Sequence, residues 1–403
     1  MACQSPLNKP SFSKIAWGDD MSAVDDISRI PADGFDMARP ELYASEDVLD
    51  TFKILREEDP IHFAENEHFG PMWHVTRYKD CVDVDTDHKR FSSADRFGGI
   101  QIDDDVVAAP TGEGTISAFI TKDQPHHAPI RKSLQPIASP PALDSFRDLI
   151  LQRTENVLDS IPEGETINWV EHVSIELTTQ MLATLFDFPF EDRHLLTFWS
   201  DMTTATEGSD HFPGQEKRLQ SLMECLEYFM ELRAKRANGA PSFDLVSMMA
   251  RDPATKDMDA MNFLGNLLLL IVGGNDTTRN SMSASINAWN RFPDEFAKLQ
   301  ADPSLVDKMV AEVIRWQTPL SHMRRTALED VEMQGKTIKK GEKVVMWYYS
   351  GNHDEDVFED PRIVKFDRPN INNHLSFGFG IHRCMGLRVA ELQLRVLWQQ
   401  ILE

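Results

Sequence analysis

The residues between 123 and the end of the 280s carry an almost unbroken helical pattern, which restricts the fold more than any other sequence feature. Apolar residues recur at helical spacing, and linkers rich in proline and glycine separate the segments. The predicted helices cover residues 124–137, 142–159, 171–186, 191–207, 215–237, 243–250 and 259–291. We therefore predict a mainly α-helical fold.

A minor, largely antiparallel β portion is predicted on both sides of this helical region. Strands are expected at 61–64, 73–76, 331–333, 336–340 and 343–349, and further helices at 45–57, 77–85, 293–299 and 304–317. Ser45 is placed to cap the first of these helices. Residues 91–121 form a long polar segment, typical of a functional lid or binding loop. We predict an irregular arm at 1–44 and one domain at 45–403.

Composition excludes several classes of protein. The formal net charge of −24 argues against a nucleic-acid partner. Four scattered cysteines favour neither a disulfide framework nor a structural zinc site. The longest apolar run, 267–272, is too short to span a bilayer, and the N-terminus lacks a secretion signal. We expect a cytoplasmic enzyme.

A single cysteine, Cys384, lies in a glycine-punctuated loop at 377–386, directly before a predicted helix at 387–398. A thiol at a helix start favours the thiolate form, which is a nucleophile or a metal ligand. No other soft ligand is nearby, so the thiolate suits a metal whose other positions are filled by a cofactor, as in haem. An inert core cysteine is the alternative.

The middle of the long helix at 259–291 is weakened by Gly273 and Gly274, which cost about 1 kcal/mol each relative to alanine. A kink or local widening there could hold a small ligand. Asp276 and Thr277 follow, an acid beside a hydroxyl. The alternative is a helix defect beside a solvated acid.

The cysteine loop resembles the haem-thiolate motif of the cytochrome P450 monooxygenases. Phe377, Gly380, His382, Cys384 and Gly386 match its order and spacing. The family usually has arginine at the position of His382, and histidine is a known variant there. The resemblance implies a cytochrome P450 fold and a bound heme b with Cys384 as its axial iron ligand.

The resemblance also implies a role for the long helix. Gly273, Asp276 and Thr277 match the residues that lie beside bound dioxygen in the family. Thr277 would hydrogen-bond the oxygen and an ordered water. Asp276 would relay protons from solvent, which is general-acid chemistry.

Charged residues from distant regions match two further sets in the family. Cationic donors to the haem propionates are expected at His127, Arg131, Arg325 and His382. A Glu-x-x-Arg pair that holds the meander before the cysteine loop is expected at Glu312, Arg315 and Arg368. From spacing alone, a surface salt bridge is the simpler interpretation of the Glu312–Arg315 pair.

The sequence resembles most the soluble bacterial members that hydroxylate the terminal carbon of medium-chain alkanes and fatty acids. Sterol side-chain hydroxylases share residues 274–280 and are the second interpretation; a peroxide-driven enzyme ranks lower. A haem-binding sensor or carrier is the alternative from another class. An apolar lining is expected, partly from plain core residues, at Phe97, Ile100, Ile102, Val107, Leu269, Val272, Leu320 and Met323.

Electrons must come from partners, because the chain carries no flavin or iron–sulfur motif. The resemblance implies NAD(P)H, a ferredoxin reductase and a ferredoxin that docks near Lys132, Arg383 and Arg388. O2 is the co-substrate, and a monomer is expected. Family members normally continue into a small β region after the last helix, so we expect a fold that lacks this region and a chain truncated at its C-terminus.

Overall fold

Helices dominate the computed structural model, which describes residues 37, 39–103, 116–205 and 212–403. Within these residues the α-helices are α1 (Pro40–Ala44), α2 (Val48–Glu58), α3 (Tyr78–Thr86), α4 (His127–Leu134), α5 (Pro140–Asp159), α6 (Glu176–Phe186), α7 (His194–Thr204), α8 (Gln215–Asn238), α9 (Leu245–Arg251), α10 (Ala260–Arg291), α11 (Pro293–Ala301), α12 (Val306–Gln317), α13 (Tyr348–Asn352) and α14 (Leu387–Leu402). A π-helical turn, Val170–Ile175, leads into α6. In the described part of the chain, no helix is both long and apolar enough to cross a bilayer.

The β portion consists of a five-stranded sheet and a separate hairpin. The strands are β1 (Ile61–Asn66), β2 (Gly70–Val75), β3 (Phe91–Ser92), β4 (Met323–Ala327), β5 (Val331–Met333), β6 (Lys336–Ile338) and β7 (Lys343–Met346). The order in the sheet is β1-β2-β7-β4-β3, and β5 pairs with β6. Only the β2–β7 pair is parallel among these described strands, with Trp73 opposite Val344. The sheet therefore joins the N-terminal region to the segment that precedes the cysteine loop.

The predicted elements are largely confirmed, with four local corrections. Residues Pro40–Ala44 of the expected irregular arm form α1. The strand expected at 343–349 ends at Met346, and the chain turns into α13 two residues later. Strands β3 and β4 were not predicted, and β4 pairs with both β3 and β7. Helix α2 begins after Asp47 without a side-chain cap, whereas Ser45 accepts the Asp47 N–H at 3.4 Å. Ser45 therefore closes the turn before the helix.

Helix α10 lies at the centre of the largest hydrophobic core. Its N-terminus is capped by Asp259, whose carboxylate accepts the Asn262 N–H at 2.9 Å. The apolar residues of its first half are buried with residues of α6, α8 and α14. Each fully buried leucine contributes about 1.5–3 kcal/mol. This packing lays α10 against α14, the helix that follows the cysteine loop.

A second contact brings the sheet to the cysteine loop. Helix α3 packs on the sheet through Cys81 and Val84, in a cluster that also contains Leu375. The end of α3 therefore lies against the loop at 377–386. Residues from the sheet, α3 and α10 converge on Cys384 in this way.

Candidate active site

Two glycines with left-handed backbone give the cysteine loop its shape. Gly378 has a φ of +63° and Gly380 a φ of +65°. A Cβ on Gly380 would also lie 2.6 Å from the carbonyl oxygen of Asp85. The Cys384 N–H closes the turn by donating to the carbonyl of the half-buried Phe377 at 2.8 Å. The loop therefore presents Cys384 directly before α14 on a backbone that requires glycine.

The Cys384 side chain is exposed, yet it is surrounded by protein. Burial raises the pKa of its thiol, and the N–H groups of Gly386 and Leu387 and the charge of Arg131 oppose this only in part. The expectation that the helix start alone favours the thiolate is wrong for the polypeptide by itself. A metal cation supplies what is missing, because a coordinated thiol is deprotonated outright.

Two of the expected propionate donors, His127 and His382, contact each other beside this loop. Their ring centroids lie 4.5 Å apart in a T-shaped arrangement. Nε2 of His382 lies 2.8 Å from Oγ of Ser93. Burial, then Arg131, lowers the pKa of His127 to about 4, and burial lowers the pKa of His382 further. In the polypeptide alone both rings are therefore neutral, and each can still donate one ring N–H to an acceptor. Their role as partners of the propionates stays a prediction.

The two arginines of the expected propionate set also reach the cysteine loop. Arg131 on α4 donates through Nη2 to the carbonyl of Arg383 at 2.6 Å. Arg325 on β4 is buried, and its Nη2 lies 2.6 Å from Oδ1 of Asp85. The four residues thus surround one place, although they come from three distant regions of the sequence.

The polar atoms around this place fit the carboxylates of a haem. Both ring nitrogens of His127 and Nδ1 of His382 are buried without a hydrogen-bond partner. Buried polar groups in native proteins nearly always have a partner. An anionic ligand would accept hydrogen bonds from these rings and pair with Arg131 and Arg325. The donor set therefore matches the two propionates of heme b, next to an accessible thiol.

Helix α10 is continuous α-helix through its two glycines, so the expected local widening is not present there. Gly274 allows close packing, because a Cβ on it would lie 2.7 Å from Cδ2 of Leu182 on α6. Gly273 is exposed, and a Cβ there would meet no atom within 4 Å. The Thr277 hydroxyl donates to the Gly273 carbonyl at 3.0 Å. Gly273 thus faces open space in the middle of α10, and the half-buried Thr277 lies one turn further along the helix.

Asp276 shares one arginine with a second carboxylate. Its Oδ1 lies 2.6 Å from Nη2 of Arg279, one turn further along α10. The same Nη2 lies 3.0 Å from Oδ1 of Asp201 on α7. Burial raises the pKa of Asp276, and Arg279 only partly offsets this. A carboxyl with a raised pKa is better suited to donate and regain protons near neutral pH.

The Glu312–Arg315 pair is buried, so the interpretation as a surface salt bridge is wrong. Both side chains are 0% exposed, and Nε of Arg315 lies 2.7 Å from Oε2 of Glu312. Arg368 donates to the other carboxylate oxygen at 2.7 Å. Arg315 also donates to the carbonyls of Asn352 and Pro361. The three charged residues therefore tie α12 to the meander before the cysteine loop.

The residues expected to line a substrate site fall into two groups. Phe97 and Ile100 lie beside the sheet, where the Ile100 carbonyl accepts the Arg324 N–H at 3.0 Å. Met323 and Leu320 belong to β4 and the turn before it and are half-buried. Leu269 and Val272 lie on α10 and are also half-buried, and Leu269 packs against the large core. Val107 and residues 1–36 of the expected arm lie outside the described residues.

Several polar residues at this site were missed by the sequence analysis. Asp85 binds Arg325, Ser93 contacts His382, and Arg279 joins Asp276 to α7. Arg324 is also buried, and it donates to the carbonyls of Phe97 and Gln101. Asp85, Ser93 and Arg324 have partners that lie far away in the sequence, so no local pattern indicates them. Only the spacing of three residues between Asp276 and Arg279, typical of a pair on one helix face, could have been used.

The fold is mainly helical, and an accessible cysteine follows two glycine turns beside buried side chains that can bind an anion. These features together define a thiolate-ligated haem protein. The chain belongs to the cytochrome P450 family, whose model matches residues 61–403. Members of this family bind heme through an axial cysteine thiolate. Cys384 is the cysteine of the haem-thiolate sequence motif at 377–386.

Solved structures and relatives agree with this assignment. Cytochrome P450-153 from Novosphingobium aromaticivorans is 43% identical, and CYP153D17 from Sphingomonas sp. PAMC 26605 is 46% identical; each has a TM-score of 0.84 and the match covers 91% of both chains. Linalool 8-monooxygenase of Pseudomonas putida is 35% identical over 369 residues, 90% of each chain. Steroid C26-monooxygenase of Rhodococcus jostii is 32% identical over 382 residues, 92% of this chain and 78% of that protein.

Proposed function

We propose that this chain inserts one atom of O2 into a terminal C–H bond of a medium-chain alkane or fatty acid. Electrons come from NAD(P)H through a ferredoxin reductase and a ferredoxin. The observation that supports oxygenation is the pair on α10. The half-buried Thr277 donates to the carbonyl of Gly273, which faces open space, and Asp276 beside it is linked to α7 through Arg279. A haem carrier or sensor needs no such acid and hydroxyl.

Each residue of the site has its own role in this proposal. A haem bound through a thiolate would supply O2 binding and favour cleavage of the O–O bond. Cys384 would provide the ligand, and His127, Arg131, Arg325 and His382 would hold the propionates. The Thr277 hydroxyl holds a proton at Oγ1 next to the Gly273 carbonyl. Asp276 delivers protons to it, helped by its raised pKa.

A negatively charged ferredoxin fits the side of the molecule that carries the cysteine loop. Lys132 on α4, Arg383 in the loop and Arg388 on α14 are all exposed there. The whole chain carries a net charge of −24, so a local group of cations is needed to steer an acidic partner. Replacing Arg388 by glutamate should weaken reduction at low salt far more than at high salt, where charges are screened.

The choice of substrate rests on the apolar candidates and on family resemblance. Seven of the eight candidate lining residues lie in the described part of the chain, and none of the seven is fully buried. All eight are apolar, which suits an unfunctionalised chain. The second candidate is a terpenoid or a steroid, because the relatives include linalool 8-monooxygenase and steroid C26-monooxygenases. A mixed panel of octane, dodecanoic acid, linalool and a steroid, with products identified by mass spectrometry, tests the choice directly.

Two measurements test the chemistry before the substrate is known. The reduced, CO-bound protein should place its Soret band at the thiolate position, and a band elsewhere removes the assignment of Cys384. Thr277→Ala should then leave this spectrum unchanged, while NADH is consumed without a matching amount of product. Thr277→Ser, which keeps the hydroxyl, is the matched control and should stay coupled. If the alanine variant stays coupled as well, the proton-delivery role of Thr277 is wrong.

A further inference from the structure

Asp85 is a buried carboxylate that touches two parts of the haem site at once. It lies at the end of α3 and is 2% exposed. Oδ1 accepts from Nη2 of Arg325 at 2.6 Å. Oδ2 accepts the Phe379 N–H of the cysteine loop at 2.6 Å and the Tyr348 hydroxyl at 2.9 Å. One ionised side chain therefore bridges β4, α13 and the loop.

The loop is built around this carboxylate. A Cβ on Gly378 would lie 3.1 Å from Oδ2 of Asp85, and one on Gly380 would lie 2.6 Å from its backbone oxygen. Phe379, which donates to Asp85, stands between these two left-handed glycines. Because the Cys384 N–H is bound to the Phe377 carbonyl, a shift at Phe379 would move the segment that fixes the thiol.

The charge of Asp85 matters as much as its shape. Arg325 is 3% exposed, and a buried arginine without an anion is strongly unfavourable. Asp85 neutralises Arg325 on one side, and the remaining donors of its guanidinium can face a propionate. Loss of the carboxylate would leave the propionate as the remaining anion beside Arg325, so the net charge near the haem would become more positive by one.

We propose that Asp85 is a positioning residue that couples the propionate-binding Arg325 to the loop that holds the thiolate ligand. Asp85 determines both the charge near the haem and the position of the cysteine loop. This inference rests on the proposed role of Arg325. A carboxylate so placed acts through other residues and does not itself touch the reacting atoms.

The test compares Asp85→Asn with Asp80→Asn in the haem-loaded protein. Asp80 is a matched control because it is also buried on α3, where it accepts from the Gln334 amide at 3.0 Å. Removal of a negative charge favours the reduced state, so the ferric–ferrous potential of Asp85→Asn should shift to a more positive value. Transfer of haem to apomyoglobin should be about tenfold faster, as expected for loss of a charge-assisted hydrogen bond. Asp80→Asn should match the wild type in both measurements.

Equal potentials and equal haem transfer for the two asparagine variants would overturn the proposal. If Asp85→Asn cannot be isolated with haem, Asp85→Glu and Asp80→Glu decide it. The longer Asp85→Glu side chain keeps the charge but displaces Phe379, so its haem transfer should rise while its potential stays near that of the wild type. Unchanged transfer in Asp85→Glu would overturn the coupling. The CO spectrum of the wild type tests the haem-thiolate assignment separately, so the two failures are distinguishable.

Discussion

Arg368 donates through Nε to Oε1 of Glu312 at 2.7 Å, although the two residues are 56 positions apart. The same guanidinium binds the carbonyls of Glu359, Asp360 and Ile363, all in the meander. Burial of a charged pair is costly unless further hydrogen bonds satisfy it, and here they do. The pair therefore fixes the meander against α12 just before the chain enters the cysteine loop.

Glu312→Gln should lower the free energy of unfolding by about 3–5 kcal/mol, the cost of leaving a buried charge without its partner. Arg315 and Arg368 would both lose their anion. Urea denaturation of the haem-loaded protein measures the effect. Glu359→Gln is the matched control, because the Glu359 side chain is 88% exposed and lies 3.8 Å from Lys365. A loss below about 1 kcal/mol for Glu312→Gln would contradict the argument.

Arg324 holds the predicted substrate loop. Its guanidinium donates to the carbonyls of Phe97 and Gln101 at 3.3 and 3.4 Å, and its backbone N–H to that of Ile100 at 3.0 Å. A Cβ on Gly98 would collide with this guanidinium at 2.1 Å. The loop therefore follows the side chain closely.

Arg324→Gln should raise KM several-fold and broaden the set of hydroxylated positions, because a shorter side chain cannot bind these carbonyls. The CO-bound spectrum should remain at the thiolate position. Arg96→Gln on the same loop is the control, since Arg96 is exposed and stacks on Phe97. An unchanged product pattern in Arg324→Gln would show that the loop keeps its position without this arginine.

The thiolate ligand could be predicted because its signals lie close together in the chain. Cys384 and its glycines occupy ten consecutive residues, and Asp276 and Thr277 stand side by side. Asp85 and Arg325 are 240 positions apart, so no local pattern joins them. The same holds for Arg324 and its loop. Long-range hydrogen bonds between single residues leave no periodic trace in a sequence.

The state of buried groups was also beyond the reach of the sequence. Glycines at 273 and 274 predicted a local widening of the helix, but α10 continues as α-helix through both, and Gly274 lies where a Cβ would meet Leu182. A helix start predicted a thiolate, but burial outweighs it at Cys384. Propensities and dipoles are terms of about 1 kcal/mol each. Burial of polar and charged groups is a larger effect, and only the fold determines it.

Replacing Asp276 by asparagine should have opposite effects on the stability and on the activity of the protein. Its pKa is raised in the folded protein above the ordinary value of 3.8. The stabilisation linked to its proton is therefore complete below that value and is lost as the pH rises through the folded-state pKa. Asp276→Asn mimics the protonated acid, so its unfolding free energy at neutral pH should equal or exceed that of the wild type.

Product formation in Asp276→Asn should nevertheless fall about 10²-fold, because the proton donor is gone. Asp83→Asn is the control, since Asp83 is an exposed acid on α3 whose side chain pairs with the neighbouring Lys79. Denaturation across a pH series and product assays measure both effects. A variant that is both less stable and fully active would contradict the assignment.

Acid should destabilise the protein through His74, a buried residue of β2. Nδ1 of His74 accepts the Trp347 indole N–H at 2.9 Å, and the two rings are stacked. Burial, reinforced by His62 and His322, lowers the pKa of His74 to about 3 from an ordinary value of 6.5. The stabilisation from the neutral ring is therefore fully present above pH 6.5 and is lost as the pH falls toward 3. In this range the unfolded chain binds a proton at this histidine and the folded chain does not.

His74→Phe keeps a ring against Trp347 but removes the titrating group. At neutral pH it should lose about 1–3 kcal/mol, because the buried indole N–H loses its acceptor. Between pH 6.5 and 4 the unfolding free energy of the wild type should fall more steeply than that of the variant, by up to about 1.4 kcal/mol per pH unit. His68→Phe, in the exposed turn between β1 and β2, is the control and should keep the wild-type slope. Parallel curves for His74→Phe and the wild type would mean that the ring is already charged when folded.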